Sequence, residues 1–560
     1  MKPARRWVDG SGPIAALVAA PLAYALVHAL ANASYDPLGR DQGIFQYVAW
    51  AMTHGERAYR DVRDVNGPLA PLVHLVFQAL GGADEHRFRV LDLLVSGASF
   101  AAAAACLPGA VSWERGPRAS RAERLSWAAA GAAALYAQYL TYFDYWDSAQ
   151  RESFCVWFVL PASGLLLVAH RAAHDASPRA RWFFVAAGAL SVVPWSAKPT
   201  FALLSACHVI GVLIEPSPVS RARRLAWLAL GGALAAVVGL AVVAPFVDIR
   251  AYLAIWSRDV PAMYRFIWPR PLSEIILYPQ AKAFVVWAVA SALLGVGLVV
   301  GRLARPVTLA VALCPGAAVL GLVAQGKGFY YHFHPVSAGV YFAGLAALSA
   351  VADSVAKTPR TRALVAWAAA MVALPHAGAL ARSAHGERTC ARCDAAERTS
   401  PGYLARWRRV DYFPAALHGA AAFLRAHTAP DDRVQTYGMD PYILFLAQRR
   451  SATPYVYAYD LNADAALAGS SRPGGLVPTE AQRDVIREIR DAHEDDLLAR
   501  LRADPPAAFV FVDRSPLMTY HDALLDLAVH CPRTYAFVRD RYRLAETVGE
   551  VRVFLRDDAR

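Results

Sequence analysis

The sequence predicts an α-helical polytopic membrane protein, N-terminus inside, followed by an extracytoplasmic α/β domain. Three observations carry this expectation. Of 560 residues, 56% are hydrophobic and 18% charged, below the roughly one quarter of charged residues usual in soluble domains. Apolar runs of about twenty residues, the length of a bilayer-crossing helix, recur through the first two thirds. Arginines collect in the short connections between alternate runs, as the positive-inside rule requires. The formal net charge of +12 is therefore read as membrane topology, and nucleic-acid binding is set aside.

The elements follow in order. Lys2, Arg5 and Arg6 hold the N-terminus inside, and a first helix runs from about Ile14 to Ala31. Ala31-Asn32-Ala33 has the look of a cleavage site, but the run is long for a signal peptide and further spans follow, so it is read as retained. The outer stretch 33–87 comes next. Within it Ile44, Tyr47, Val48, Ala51 and Met52 recur at helical spacing and predict an amphipathic surface helix over 42–54. Pro68 to Leu80 is apolar but too short to span, and is read as a second interfacial helix. That choice puts Arg115, Arg118, Arg121 and Arg124 on the inner side after a second span, Phe88 to Leu107.

Alternation then gives spans near Leu125–Tyr142, Ser153–His170, Trp182–Ala197, a sixth ending at Ile214, Leu225–Phe246, Ala283–Val300, Pro306–Ala324, Val336–Val351 and Ala363–Leu380. The total is about eleven, and every inner connection is basic. The remaining outer connections are 143–152, Lys198-Pro199-Thr200, 248–282 and 325–335. Residues 1–383 form the membrane domain. Over 384–560 the composition becomes mixed, and β-rich runs at Arg433–Tyr437, Ala508–Asp513 and Val551–Leu555 alternate with helical patterns such as Thr479–Leu501, predicting a small outer α/β domain.

Of the seven cysteines, Cys106, Cys155, Cys207 and Cys314 lie in apolar runs and read as packed hydrophobes. Cys390 and Cys393 form a lone CxxC, with Cys531 the other cysteine outside the membrane; a zinc site and a disulfide are both open.

Each inner connection is only about ten to seventeen residues long, too short to house a nucleotide-binding domain, and no P-loop or dinucleotide fingerprint is present. Any chemistry is then outside or in the membrane, where an activated substrate must arrive on a carrier such as a lipid. Ionisable residues beside a span are functional-site candidates. The first outer stretch holds Asp36, Asp41, Asp61 and Asp64 among Arg40, Arg57, Arg60 and Arg63.

The run GRDQGIFQYVAWAMTHGERAYRDVRD, the acidic DYWDSAQRESF and the basic aromatic GKGFYYHFHP together resemble the membrane glycosyltransferases of the GT-C fold. The resemblance is nearest to the glycosyltransferase family 39 group of protein O-mannosyltransferases, lipid A aminoarabinose transferases and rhizobial galacturonosyltransferases, and spans about residues 10–380. It implies inverting transfer of a sugar from a polyprenyl-phosphate donor to a hydroxyl of a glycan, lipid or protein on the outer face of the cytoplasmic membrane. Such a reaction needs a base for the acceptor proton and cations for the leaving phosphate.

Asp41 matches the first-loop catalytic acid; it also suits a helix N-cap, and the two roles are compatible. Asp144, Asp147 and Glu152 are candidates for a second acid, the first two with Asp41 for a divalent cation (Mg or Mn) that some relatives use; acids there also suit a helix N-terminus. The choice between Asp144 and Asp147 is open. Lys198, Lys327, Arg258, Arg265 and His332 are candidates for the donor phosphate, though Lys198 would equally snorkel to the interface. The aromatic 248–282 loop reads as an interfacial belt or as a cover over the prenyl chain. Where many relatives carry D-x-K-P-P, this chain has Asp64-Val65-Asn66-Gly67-Pro68, so the lysine near the phosphate is missing. The alternatives are a transporter or flippase of a lipid-linked sugar, for which repeated halves and midplane charge are expected, and a noncatalytic assembly partner.

Overall fold

The computed structural model describes residues 11–113, 119–277, 279–384 and 394–557. Lys2, Arg5, Arg6, Arg115, Arg118, Cys390 and Cys393 lie outside them. The chain forms two compact units, one of Met1–Asp36, His86–Val242 and Ser273–Thr389, the other of Pro37–Glu85, Val243–Leu272 and Cys390–Arg560.

The first unit is helical. Among the described residues, eight helices are long and apolar enough to cross a membrane: Gly12–Ala33, Glu85–Ala105, Arg151–His174, Arg221–Val243, Lys282–Val300, Thr308–Gln325, Tyr330–Ser354 and Arg360–Ala381. This is a multi-pass membrane protein. Three other expected spans are helices of a different kind. Arg121–Tyr142 has 22 residues but is less apolar, and Ala180–Val192 and Ala202–Ile214 have 13 each.

The helices pack through small residues. A Cβ on Gly231 would stand 1.9 Å from Val185 O, and one on Gly188 would stand 2.0 Å from Leu228 O. The reciprocal glycines bring the backbones of Ala180–Val192 and Arg221–Val243 into direct contact, as small residues do in lipid. Trp127, Phe100, Phe184, Leu166 and Phe342 are buried in the shared core.

The second unit contains a five-stranded sheet of order β2-β1-β3-β5-β4. Its strands are β1 Arg433–Tyr437, β2 Arg450–Ser451, β3 Ala508–Val512, β4 Tyr542–Val548 and β5 Val551–Arg556. β2, β1 and β3 are parallel, while β5 runs antiparallel to both β3 and β4. The AFVFV run of β3 is buried throughout, as a strand covered on both faces must be. The long helix Glu480–Ala503 starts at Thr479, whose hydroxyl accepts from Gln482 N.

The first outer stretch is built into this second unit. Its helix, Arg40–Thr53, matches the expected element, but it is not amphipathic: every residue from Gln42 to Met52 is buried. Tyr442 packs on Gly43 so closely that a Cβ there would lie 2.5 Å from Tyr442 Cγ. Tyr47 OH accepts from Ser451 N at 2.8 Å, and Tyr412 OH donates to Leu38 O at 2.9 Å. Leu69–Gly81 is the short helix expected from the sequence.

Candidate functional site

The densest buried charge in the first unit lies where four chain segments end. Gln150 precedes the helix Arg151–His174, and Gln150 N donates to Ser153 Oγ at 3.0 Å. Glu152 thus sits in the first turn, at the positive end of the helix. Lys198 lies between two 3-10 turns, Val193–Ser196 and Pro199–Phe201. Lys327 follows the helix Thr308–Gln325 between Gly326 and Gly328, whose φ values of +65° and +60° favour glycine. His332 lies in the 3-10 turn Tyr330–Phe333.

These residues converge. Lys198 Nζ donates to Glu152 Oε1 at 2.5 Å, to Gln325 Oε1 at 2.6 Å and to His332 Nε2 at 3.1 Å. His332 Nε2 is 3.5 Å from Glu152 Oε1. Arg151 Nη2 donates to Tyr331 OH at 3.3 Å, and its Nε lies 3.8 Å from Glu152 Oε2. Lys327 is buried beside them, close enough for the Lys198 charge to act on it.

Arg151, Lys198 and Lys327 are gathered around the carboxylate of Glu152. Burial, helped by the charge of Arg151 and opposed by Glu152, lowers the Lys198 amine to about 8. Burial and then the charge of Lys198 lower Lys327 to about 7. Among the described residues, Glu152 Oε2 and His332 Nδ1 are buried without a hydrogen bond. Buried charges need partners, and here lysine and arginine donors, of the kind that suit phosphate, gather beside a carboxylate.

Three of the residues singled out from sequence, Glu152, Lys198 and His332, meet here with Lys327 beside them. Gln325 and Arg151 were missed as members. Their signal was position, one closing a helix just before Gly-Lys-Gly, the other opening a helix beside Glu152.

The remaining candidates are placed elsewhere. Asp144 is exposed and its Oδ1 accepts from Trp146 N at 2.9 Å, closing its own turn. Asp147 accepts at its backbone oxygen from His334 Nε2 at 2.8 Å. Asp41 belongs to the second unit, half-buried in the first turn of Arg40–Thr53. It is not the N-cap; that position is Gly39, whose N donates to Gln42 Oε1 at 2.6 Å. Arg258 and Arg265 are exposed in the second unit, and the Arg265 guanidinium lies 4.5 Å from the Phe266 ring centre.

Asp61 and Asp64 serve local turns: Asp61 accepts from Arg57 N at 2.8 Å and Asp64 from Asn66 N at 3.0 Å. Cys531 is a buried thiol outside any disulfide among the described residues. Among the described residues, no group of three or more His, Cys, Asp or Glu side chains is gathered to hold a metal. No step is assigned to a metal.

No protein-family model matches the chain, and no characterised protein matches its sequence. Among solved structures, the chain is similar to ArnT from Cupriavidus metallidurans bound to undecaprenyl phosphate, with 15% identity, 95% of this chain and 97% of that one covered, and a TM-score of 0.49. It is also similar to the archaeal oligosaccharyltransferase AglB from Archaeoglobus fulgidus in complex with an inhibitory peptide and a dolichol-phosphate, with 13% identity, 93% and 72% covered, and a TM-score of 0.47. A third is the arabinofuranosyltransferase AftD from Mycobacteria, with 15% identity, 96% and 39% covered, and a TM-score of 0.46. Likeness at this level assigns no activity.

Proposed function

We propose that this chain is an integral-membrane glycosyltransferase of the GT-C type, moving a sugar from a polyprenyl-phosphate donor to a hydroxyl on the outer face of the cytoplasmic membrane. The observation that supports it most is the buried cluster of Arg151, Lys198, Lys327 and His332 around the carboxylate of Glu152, at the ends of apolar helices. Its chemistry suits a phosphate delivered on an apolar tail. The positive-inside rule supports reading this end of the helices as the outer one.

In the reaction the acceptor oxygen attacks the anomeric carbon from the face opposite the phosphate. The carbon–oxygen bond to phosphate breaks, and polyprenyl phosphate leaves with the electron pair. Lys198 and Lys327 stabilise the charge that grows on the leaving phosphate. Glu152 and Gln325 hold the Lys198 ammonium in place. We assign the acceptor's proton to Asp41 on the resemblance of its loop. The missing Asp-x-Lys lysine is supplied in function by Lys198 or Lys327.

The test is equilibrium binding of undecaprenyl phosphate to the purified chain, with undecaprenol as the uncharged control. Phosphate-dependent binding that weakens about tenfold or more in Lys198→Met is expected, the loss of one charge-assisted contact. Equal affinity for the phosphate and the alcohol contradicts the reading.

A further inference from the structure

The second unit carries a groove that the transfer chemistry does not use. It is a shallow, open groove of about 670 Å³, with Trp268, Asp464, Glu480, Arg483, Arg487 and Leu517 along it. That volume lies within the range of small-ligand sites. Four chain segments build it: the end of the aromatic 248–272 stretch, the short helix Asp464–Ala468, the first turns of the helix Glu480–Ala503, and the loop after β3.

Two backbone features mark the groove. Trp268 has φ +48° and is 46% exposed. A residue before proline is ordinarily extended, so Trp268, followed by Pro269, holds an indole outward at a cost in backbone energy. Leu517, on the wall formed by the other loop, has φ +70°. Strain in bulky residues persists only where surrounding structure enforces it, and it gathers at binding sites.

The polar wall is electrically balanced. Arg483 Nη1 donates to Glu480 Oε2 at 2.9 Å and Arg483 Nε to Leu467 O at 3.3 Å. Arg487 Nη1 donates to Asp484 Oδ1 at 2.7 Å and to Glu480 Oε1 at 3.3 Å. Asp464 Oδ2 accepts from Thr519 Oγ1 at 2.7 Å, with His530 Nε2 at 3.5 Å. Two arginines and two carboxylates, Asp464 and Glu480, line the groove, so it has no net preference for an anion. This sets it apart from the phosphate cluster.

An exposed aromatic face beside paired carboxylates and guanidiniums matches a ligand with an apolar C–H face and a rim of hydroxyls. We infer that this groove binds a neutral oligosaccharide of two to four sugars, the acceptor glycan or its growing end. The groove's role as an acceptor site rests on the transferase reading above; its affinity for sugar does not.

The experiment uses the full chain in detergent and saturation-transfer NMR. The probes are maltotetraose, cellotetraose and mannotetraose, with tetragalacturonate and tetra-alanine as the charged and peptide comparisons. At least one neutral tetrasaccharide is expected to receive saturation. Its affinity should fall about tenfold in Trp268→Ala, recover to within about threefold in Trp268→Phe, and fall about fivefold in Arg487→Ala, a variant on a separate segment. No binding by any neutral probe, binding by the peptide alone, or affinity unchanged in both Trp268→Ala and Arg487→Ala overturns the inference. Undecaprenyl phosphate is titrated into the same native preparation. If it binds and the sugars do not, only this inference falls; if the sugars bind and the lipid does not, the transferase reading falls and the groove stands.

Discussion

Lys198 and Lys327 give the anion site a pH dependence whose sign follows from their shifts. Burial lowers both amines, to about 8 and about 7, from an ordinary value near 10.4. Without ligand, the folded chain binds fewer protons than the unfolded chain between those values and the ordinary one, so these two groups make folding more favourable as pH rises through that window. A phosphate acts oppositely, because it needs the ammonium forms. Affinity for undecaprenyl phosphate should therefore fall by about tenfold or more between about pH 6.5 and 8.5, and Lys327→Met should flatten that profile. A profile unchanged in Lys327→Met would contradict the assignment of the lower transition to Lys327. The candidate lysines were legible in the sequence because they stand alone among apolar runs beside proline and glycine. Gln325 was not, because a glutamine at a helix end reads as an ordinary polar terminus until its oxygen is found 2.6 Å from an ammonium.

At the scale of elements, periodicity and charge alternation located every helix expected of the membrane unit, and the runs Arg433–Tyr437 and Ala508–Asp513 lie on strands as read. β4, Tyr542–Val548, was missed because its burial alternates weakly and its residues are mostly exposed. The helix Arg40–Thr53 was found but its surroundings were misread. Apolar residues at helical spacing indicate one buried face, whereas Gln42 and Gln46 on the other face are also buried by partners far away in sequence. Close helix contact is equally invisible to periodicity. Gly231→Val should force Ala180–Val192 and Arg221–Val243 apart, since the new side chain begins 1.9 Å from Val185 O. Overpacking of this kind costs about 1–3 kcal/mol. A thermal melt of the detergent-solubilised chain should show a clear drop, and an unchanged melt would contradict the packing.

The second unit shows how distant segments become one body. Arg63, from the first stretch, is paired with Asp259 and lies 3.5 Å from Asp460 Oδ1. His493 Nδ1 donates to Asp460 O at 2.8 Å. Arg40 Nε donates to Asp440 Oδ1 at 2.8 Å, while Arg40 Nη2 donates to Asp411 O. Removing one partner of a buried pair leaves an uncompensated charge and costs about 3–5 kcal/mol. Arg63→Met should make the 243–272 and C-terminal segments of this unit sensitive to limited proteolysis, and Asp259→Asn added to Arg63→Met should restore part of the resistance. No change in either variant would contradict the pairing. Sequence could not reveal these pairs, because each arginine sits beside nearer aspartates, two of which, Asp61 and Asp64, bind local turns instead.

The central claim concerns chemistry, and transfer itself tests it most directly. The purified chain would be incubated with a radiolabelled polyprenyl-phosphate hexose and a glycan acceptor, alongside Asp41→Asn, Lys198→Met and an EDTA-treated sample. The expected result is label moved to acceptor by the native chain, with inversion at the anomeric carbon, and a loss of about a hundredfold or more in Asp41→Asn at unchanged donor affinity. Full transfer by Asp41→Asn would contradict the base assignment, and movement of intact labelled donor across the bilayer without any transfer would contradict the enzyme.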